Sequence, residues 1–105
     1  MKNTTNKTVS ILGAEYEVKY CEIVIDEGEV YAGLIDSRKK TIEIKKGLED
    51  EDRLETIAHE VAHGYLIESG LPRYFSDEIL VEWIARMAKR IVDTTAAVTL
   101  IGEGD

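Results

Sequence analysis

The sequence predicts a small α+β domain, strands first and helices after. Three observations lead there. Apolar and β-branched residues follow a two-residue period between positions 9 and 46, as half-buried strands do. From Leu54 onward they recur at three- and four-residue steps, the stripe of an amphipathic helix. Finally, no repeat, low-complexity tract or linker divides the 105 residues, so they form one domain, 1–105.

Residues 1–8 are polar and read as a loose leader. Between Val9 and Tyr20, Tyr16, Val18 and Tyr20 alternate with Glu15, Glu17 and Lys19, which predicts a half-buried strand. Ile23, Val24 and Ile25 prolong its β-branched character up to the break at Glu27-Gly28-Glu29. Residues 30–46 read as a β-hairpin of an antiparallel sheet: Val30 to Ile35, a turn over Asp36 to Lys40, and the alternation Thr41-Ile42-Glu43-Ile44-Lys45. Gly47 ends it. Asp50 is placed to cap a helix carrying Leu54, Ile57, Ala58, Val61, Ala62 and Tyr65, which Gly70 and Pro72 close. A second helix is expected from Ser76 as its cap, with Ile79, Leu80, Trp83, Ile84, Met87 and Ile91 as its apolar face and Trp83 in the core. Residues 94–105, with the patch Val98-Thr99-Leu100-Ile101, read as either a terminal strand or a frayed tail.

Composition excludes several function classes. A net charge of −8 repels phosphate backbones and anionic headgroups, so neither nucleic acid nor a membrane surface is an expected partner. The basic runs Arg38-Lys39-Lys40 and Lys45-Lys46 read as a solvated hairpin. The single cysteine, Cys21, makes neither an internal disulfide nor a thiolate metal site. With no apolar signal segment or membrane-spanning stretch in view, the expected location is the cytoplasm. Nothing in the pattern specifies an oligomeric state.

Chemistry is concentrated in His59-Glu60-Val61-Ala62-His63. Residues four apart on a helix share a face, so His59 and His63 can direct two imidazole nitrogens at one ion, with Glu60 beside them toward bound water. The chain has only two histidines, and a random shuffle would set both in this pattern roughly once in four hundred trials. The bland reading, a polar helix face without metal, is opposed by Val61, Ala62 and Tyr65, which turn the motif toward the core. A catalytic zinc needs a third protein ligand and an open position. Glu68, on the motif's own helix, cannot easily fold back onto the ion. Glu78 and Glu82, four apart on the second helix, are the better sources, and either could point at the metal.

The motif and the segment Glu78-Ile79-Leu80-Val81-Glu82-Trp83-Ile84-Ala85 together resemble the gluzincin metallopeptidases. They are also similar to the ImmA/IrrE group of zincin-like metallopeptidases found in phages and mobile elements. The likeness covers residues 41–88. It departs from the group's Glu-x-x-Ala-Asn-x-Phe-Ala signature, since Val81-Glu82 stands in place of Ala-Asn, and the domain is shorter than most relatives.

This resemblance implies a zincin-like fold, Zn2+ as cofactor, Glu78 as third ligand and Glu82 as the partner that orients a ligand histidine. It further implies hydrolysis of a peptide bond with Glu60 as general base, and a protein or peptide substrate, a regulatory protein among the candidates, held along strand 41–45. The oxyanion donor could be Tyr65, Tyr74 or neither. Two other readings remain open at the level of sequence. One is a catalytically degenerate zincin-like module that binds a protein partner; the other is a metal-dependent hydrolase of a different bond. Retention of Glu60 speaks against the first, because a structural zinc needs no general base.

Overall fold

The structure is a computed structural model, in which residues 7–103 are described. The chain opens with β1 (Lys7–Ile11) and β2 (Ala14–Cys21), an antiparallel pair. What reads in sequence as one strand from Val9 is therefore a hairpin. Its turn, Leu12-Gly13, has positive φ at both positions (52° and 90°), the twist that a two-residue hairpin requires. Lys7 and Thr8 belong to β1 and not to a leader; residues 1–6 lie outside the described part.

A second small hairpin follows, β3 (Val24–Asp26) and β4 (Glu29–Tyr31), turning at Glu27-Gly28 and forming its own two-stranded sheet. Val30 and Tyr31 thus pair with β3, and the hairpin expected over 30–46 narrows to β5 (Gly33–Asp36) and β6 (Thr41–Lys45). Asp36 shapes that turn, its carboxylate accepting from the backbone N–H of Arg38 (2.9 Å) and Lys39 (3.0 Å).

The main sheet has the order β1-β2-β6-β5, and β2 runs parallel to β6. The expected antiparallel sheet is mixed. The β3–β4 excursion carries the chain past β2 and sets β5 on the far edge, so β6 returns through the gap in the same direction as β2. A period-two pattern reports which face is buried and says nothing of which strand lies alongside.

Helix α1 (Asp50–Glu68) lies between this sheet and helix α2 (Glu78–Ile101). On one side Ile57 packs against Ile11, Tyr16, Ile35, Ile42 and Ile44. On the other, Ala62 and Leu66 meet Val81, with Leu80, Ile84 and Ala85 around them. Gly64 allows the close approach to the sheet: a Cβ there would lie 2.7 Å from Ile11 Cδ1 and 3.0 Å from Ile35 Cδ1.

The helix boundaries shift by one residue. Glu49 occupies the cap position of α1, and Asp77, not Ser76, caps α2, its carboxylate accepting from Leu80 N–H at 3.1 Å. Residues 94–101 are neither strand nor frayed tail but the last turns of α2. The hydroxyls of Thr95 and Thr99 bond the carbonyls of Ile91 and Thr95 at 2.7 and 2.8 Å, so the β-branched composition is accommodated inside the helix. Trp83 is 55% exposed and not a core residue. Among the described residues no helix is long and apolar enough to cross a membrane.

Candidate metal centre

The site forms where the middle of α1 crosses the first turns of α2. His59 and His63 project one helical turn apart, their ring centroids 4.9 Å from each other. Glu78, the first residue of α2, reaches across with both carboxylate oxygens: Oε1 is 3.0 Å from His59 Nε2 and Oε2 is 3.4 Å from His63 Nε2. One donor atom from each of the three residues lies within 4.8 Å of the others, a set able to hold a metal ion.

The opposite ring nitrogens are held from behind. His59 Nδ1 is 3.0 Å from Glu82 Oε1, and His63 Nδ1 is 2.5 Å from the carbonyl oxygen of Phe75. A carbonyl can only accept, so Nδ1 of His63 carries the proton and its Nε2 presents a lone pair when the ring is neutral. The carboxylate of Glu82 imposes the same tautomer on His59. Two lone pairs then face a carboxylate, an arrangement that repels unless a proton or a metal cation sits among them. The donor set and its backing fit zinc.

Glu60 is buried, 8% exposed, beside the edge strand. Burial pushes its carboxyl above the usual range, while His63, His59 and a hydrogen bond from the Ile35 backbone N–H pull the other way. His59 is raised overall: burial alone would lower it, but the hydrogen bond to Glu82 and the charges of Glu60, Glu78 and Glu82 outweigh that. Glu82 is lowered, chiefly by its bond to His59.

His59, Glu60 and Glu82 open onto a groove of about 300 Å³ whose far wall is Tyr31-Ala32-Gly33. Strand β6, proposed from sequence as the substrate-holding strand, is bonded to β2 on one side and to β5 on the other. Its backbone offers no free edge. The free edge beside the site belongs to β5. Ala32 C=O accepts from Lys45 N–H across the ladder at 2.8 Å, and the alternation of an antiparallel pair therefore turns the N–H and C=O of Gly33 outward. Gly33 is also a point of close approach between strand and helix: a Cβ would lie 2.6 Å from Thr56 Cγ2 and 3.2 Å from Glu60 Cγ.

The structure thus brings together His59, Glu60, His63, Glu78 and Glu82. Tyr65 and Tyr74 are both exposed, and Arg73 lies 5.2 Å over the ring of Tyr74. Glu68 is engaged elsewhere, with Tyr16 and Lys40. Sequence reasoning missed Gly33, although an isolated glycine inside a strand pattern signals close backbone approach. It also missed the carbonyl of Phe75, for which a backbone atom leaves no signal.

No family model matches the chain, and it has no significant match among curated proteins or solved structures.

Proposed function

We propose that the chain is a zinc-dependent metallopeptidase of zincin-like organisation, with His59, His63 and Glu78 as the metal's protein ligands. The observation that carries this reading is the pair of imidazoles locked from behind by Glu82 and the Phe75 carbonyl, so that both Nε2 lone pairs converge on the carboxylate of Glu78. Such backing fixes ring orientation and basicity in metal sites. Zinc bound there would supply a Lewis acid that acidifies water and polarises a carbonyl.

The chain's own residues supply the rest. Glu60 is the general base: its buried position next to both histidines lets it take a proton from the attacking water and pass it to the leaving amine. The hydrogen bond from Ile35 N–H aims the carboxylate while leaving it basic enough to act. The outward N–H and C=O of Gly33 can pair with the backbone of an extended peptide, adding a short strand to β5 and laying the scissile bond along the groove. Glu82 holds His59 and does not touch the reacting atoms.

Elemental mass spectrometry on the purified protein tests the metal, and Glu60→Gln tests the chemistry. We expect about one zinc per chain, retained in Glu60→Gln while cleavage of an unstructured protein substrate falls by roughly 10²- to 10⁴-fold. A protein that takes up no metal on zinc titration at neutral pH would overturn the assignment and leave a peptide-binding module. Loss of zinc in Glu60→Gln would place Glu60 among the ligands instead.

A further inference from the structure

Among the described residues, the distal half of α2 has no packing partner. Every residue from Ala88 to Ile101 is exposed, and the apolar ones are large: Ile91 is 52% exposed, Val92 65%, Val98 63%, Leu100 87% and Ile101 65%. At about 100° per residue these side chains point to all sides of the helix, and from Thr94 to Gly102 no residue is charged. A helix laid on a surface keeps one polar face; one that is apolar all round is surrounded. A segment of this length does not hold a helix in water by itself.

A receptor for such a segment lies on the same molecule. Where α1 and α2 diverge they enclose a groove of about 480 Å³ with an apolar floor of Leu54, Ala58, Ala85 and Met87; Glu55 and Glu82 line it beside Arg86, Lys89 and Arg90, of which Arg86 pairs with Glu82 and Lys89 with Asp93. Its rim is the main concentration of positive charge on α2 of a chain whose net charge is −8. The distal segment has the complementary character: it is apolar, it ends with the negative pole of the helix dipole, and Glu103 follows directly. Groove and segment cannot meet within one chain, since Met87 and Leu100 are about 20 Å apart along one continuous helix.

We infer that the chain forms a two-fold dimer in which each α2 inserts its distal turns, Val98 to Ile101, into the α1–α2 groove of a second copy. The helices run antiparallel and cross near Asp93 and Thr94, where the small side chains of Thr94 and Thr95 permit close approach. In that orientation each Glu103 lies near the partner's basic rim and the helix dipoles oppose one another; a parallel pair would stack Arg86, Lys89 and Arg90 on their own copies. The contact is isologous and closes on itself. It continues the seam by which Leu80 and Ile84 already pack against α1.

Sedimentation equilibrium of the full chain across micromolar to sub-millimolar concentrations tests this, with far-UV circular dichroism and zinc uptake read on the same samples. The wild-type chain should sediment as a dimer. Leu100→Asp should weaken dimerisation by at least roughly 100-fold, because two buried leucines are lost per dimer, while zinc uptake stays unchanged. Arg86→Glu and Glu103→Arg should each weaken the dimer, and the two together should restore it. A monomer throughout the concentration range overturns the inference, and so does a dimer indifferent to Leu100→Asp. A monomer that instead binds lipid vesicles through Leu100 overturns it in favour of a lipid surface. Zinc uptake is an independent readout, so this failure and failure of the peptidase reading are told apart.

Discussion

Helix α1 carries two clusters of polar side chains, and they solve opposite problems. At its C-terminal end the carboxylate of Glu68 accepts the Tyr16 hydroxyl at 2.6 Å and the Lys40 ammonium, which also stands 5.2 Å over the Tyr16 ring. One negative charge meets one positive charge and one neutral donor, and the cluster is complete. At the middle of the helix three carboxylates, Glu60, Glu78 and Glu82, surround two imidazoles. There three carboxylates face one fixed cation, the Arg86 guanidinium 3.6 Å from Glu82 Oε2, so the arrangement is short of positive charge. A complete cluster ties α1 to the sheet; a deficient one, held rigid from behind, is a place for a cation.

The strongest way to break this contrast is to remove a ligand from the deficient cluster. His63→Ala should lower zinc affinity by well over the roughly 100-fold that loss of an outer partner costs, measured by competition with a chelator. The same experiment on Glu68→Gln, in the complete cluster, should leave zinc affinity unchanged. Glu82→Ala comes next in size. Because Glu82 orients His59 and does not bind the ion in this reading, its removal should weaken zinc binding by roughly 10- to 100-fold. A loss as large as that of His63→Ala would make Glu82 a ligand and Glu78 the accessory group.

The candidate metal site is legible in the sequence because its residues are side chains at helical spacing. His59, Glu60 and His63 share one stretch of helix, and Glu78 and Glu82 are four apart on another. The parts that escaped are of two physical kinds. Some are backbone atoms: the Phe75 carbonyl, which no residue type announces, and the outward edge of Gly33, for which a glycine in a strand pattern is the one signal. Others are decided by topology: Thr41–Lys45 has the alternation of an exposed-edge strand, yet the return of the chain beneath β2 buries both its edges in the sheet. Trp83 and Thr94–Ile101 escape for a third reason: both lie on α2, where large apolar and β-branched residues are exposed among the described residues, so composition points to a core or a strand that the helix does not form.

Acid and base sharpen the same contrast, because His59 in one cluster and Glu68 in the other titrate with opposite sign. In chelator-treated protein the raised pKa of His59 favours its protonated form in the fold. That contribution to stability is present below the unfolded value of about 6.5 and is lost as pH rises through the folded pKa above it. Glu68 is lowered, first by Lys40 and then by Tyr16, so its contribution is present above about pH 4.3 and is lost as pH falls through its folded pKa. Urea titrations of the metal-free protein should therefore show an acid limb reduced by Glu68→Gln, to which the lowered Glu82 and Asp36 also contribute, and a near-neutral decline reduced by Glu82→Gln. Zinc affinity should rise across the near-neutral window, since the ion displaces a proton from His59. An acid limb unchanged by Glu68→Gln would assign it to the other carboxylates.

The smallest expected effect probes the complete cluster alone. Tyr16 is fully buried in the sheet's core, and its ionisation is pushed up first by burial and then by Glu68, so its hydroxyl remains a donor throughout the ordinary pH range. Tyr16→Phe keeps the ring in the core and deletes only that donor. Glu68 keeps Lys40, so no buried charge is left without a partner, and the cost should be near that of one ordinary hydrogen bond, about 1 kcal/mol in urea unfolding. Zinc affinity and the rate of peptide cleavage should not move. A Tyr16→Phe variant that lost zinc would show that the two clusters are coupled along α1, with the latch at Glu68 setting the pitch at which His59 and His63 meet Glu78. Their separation into a structural tie and a cation site would then fail.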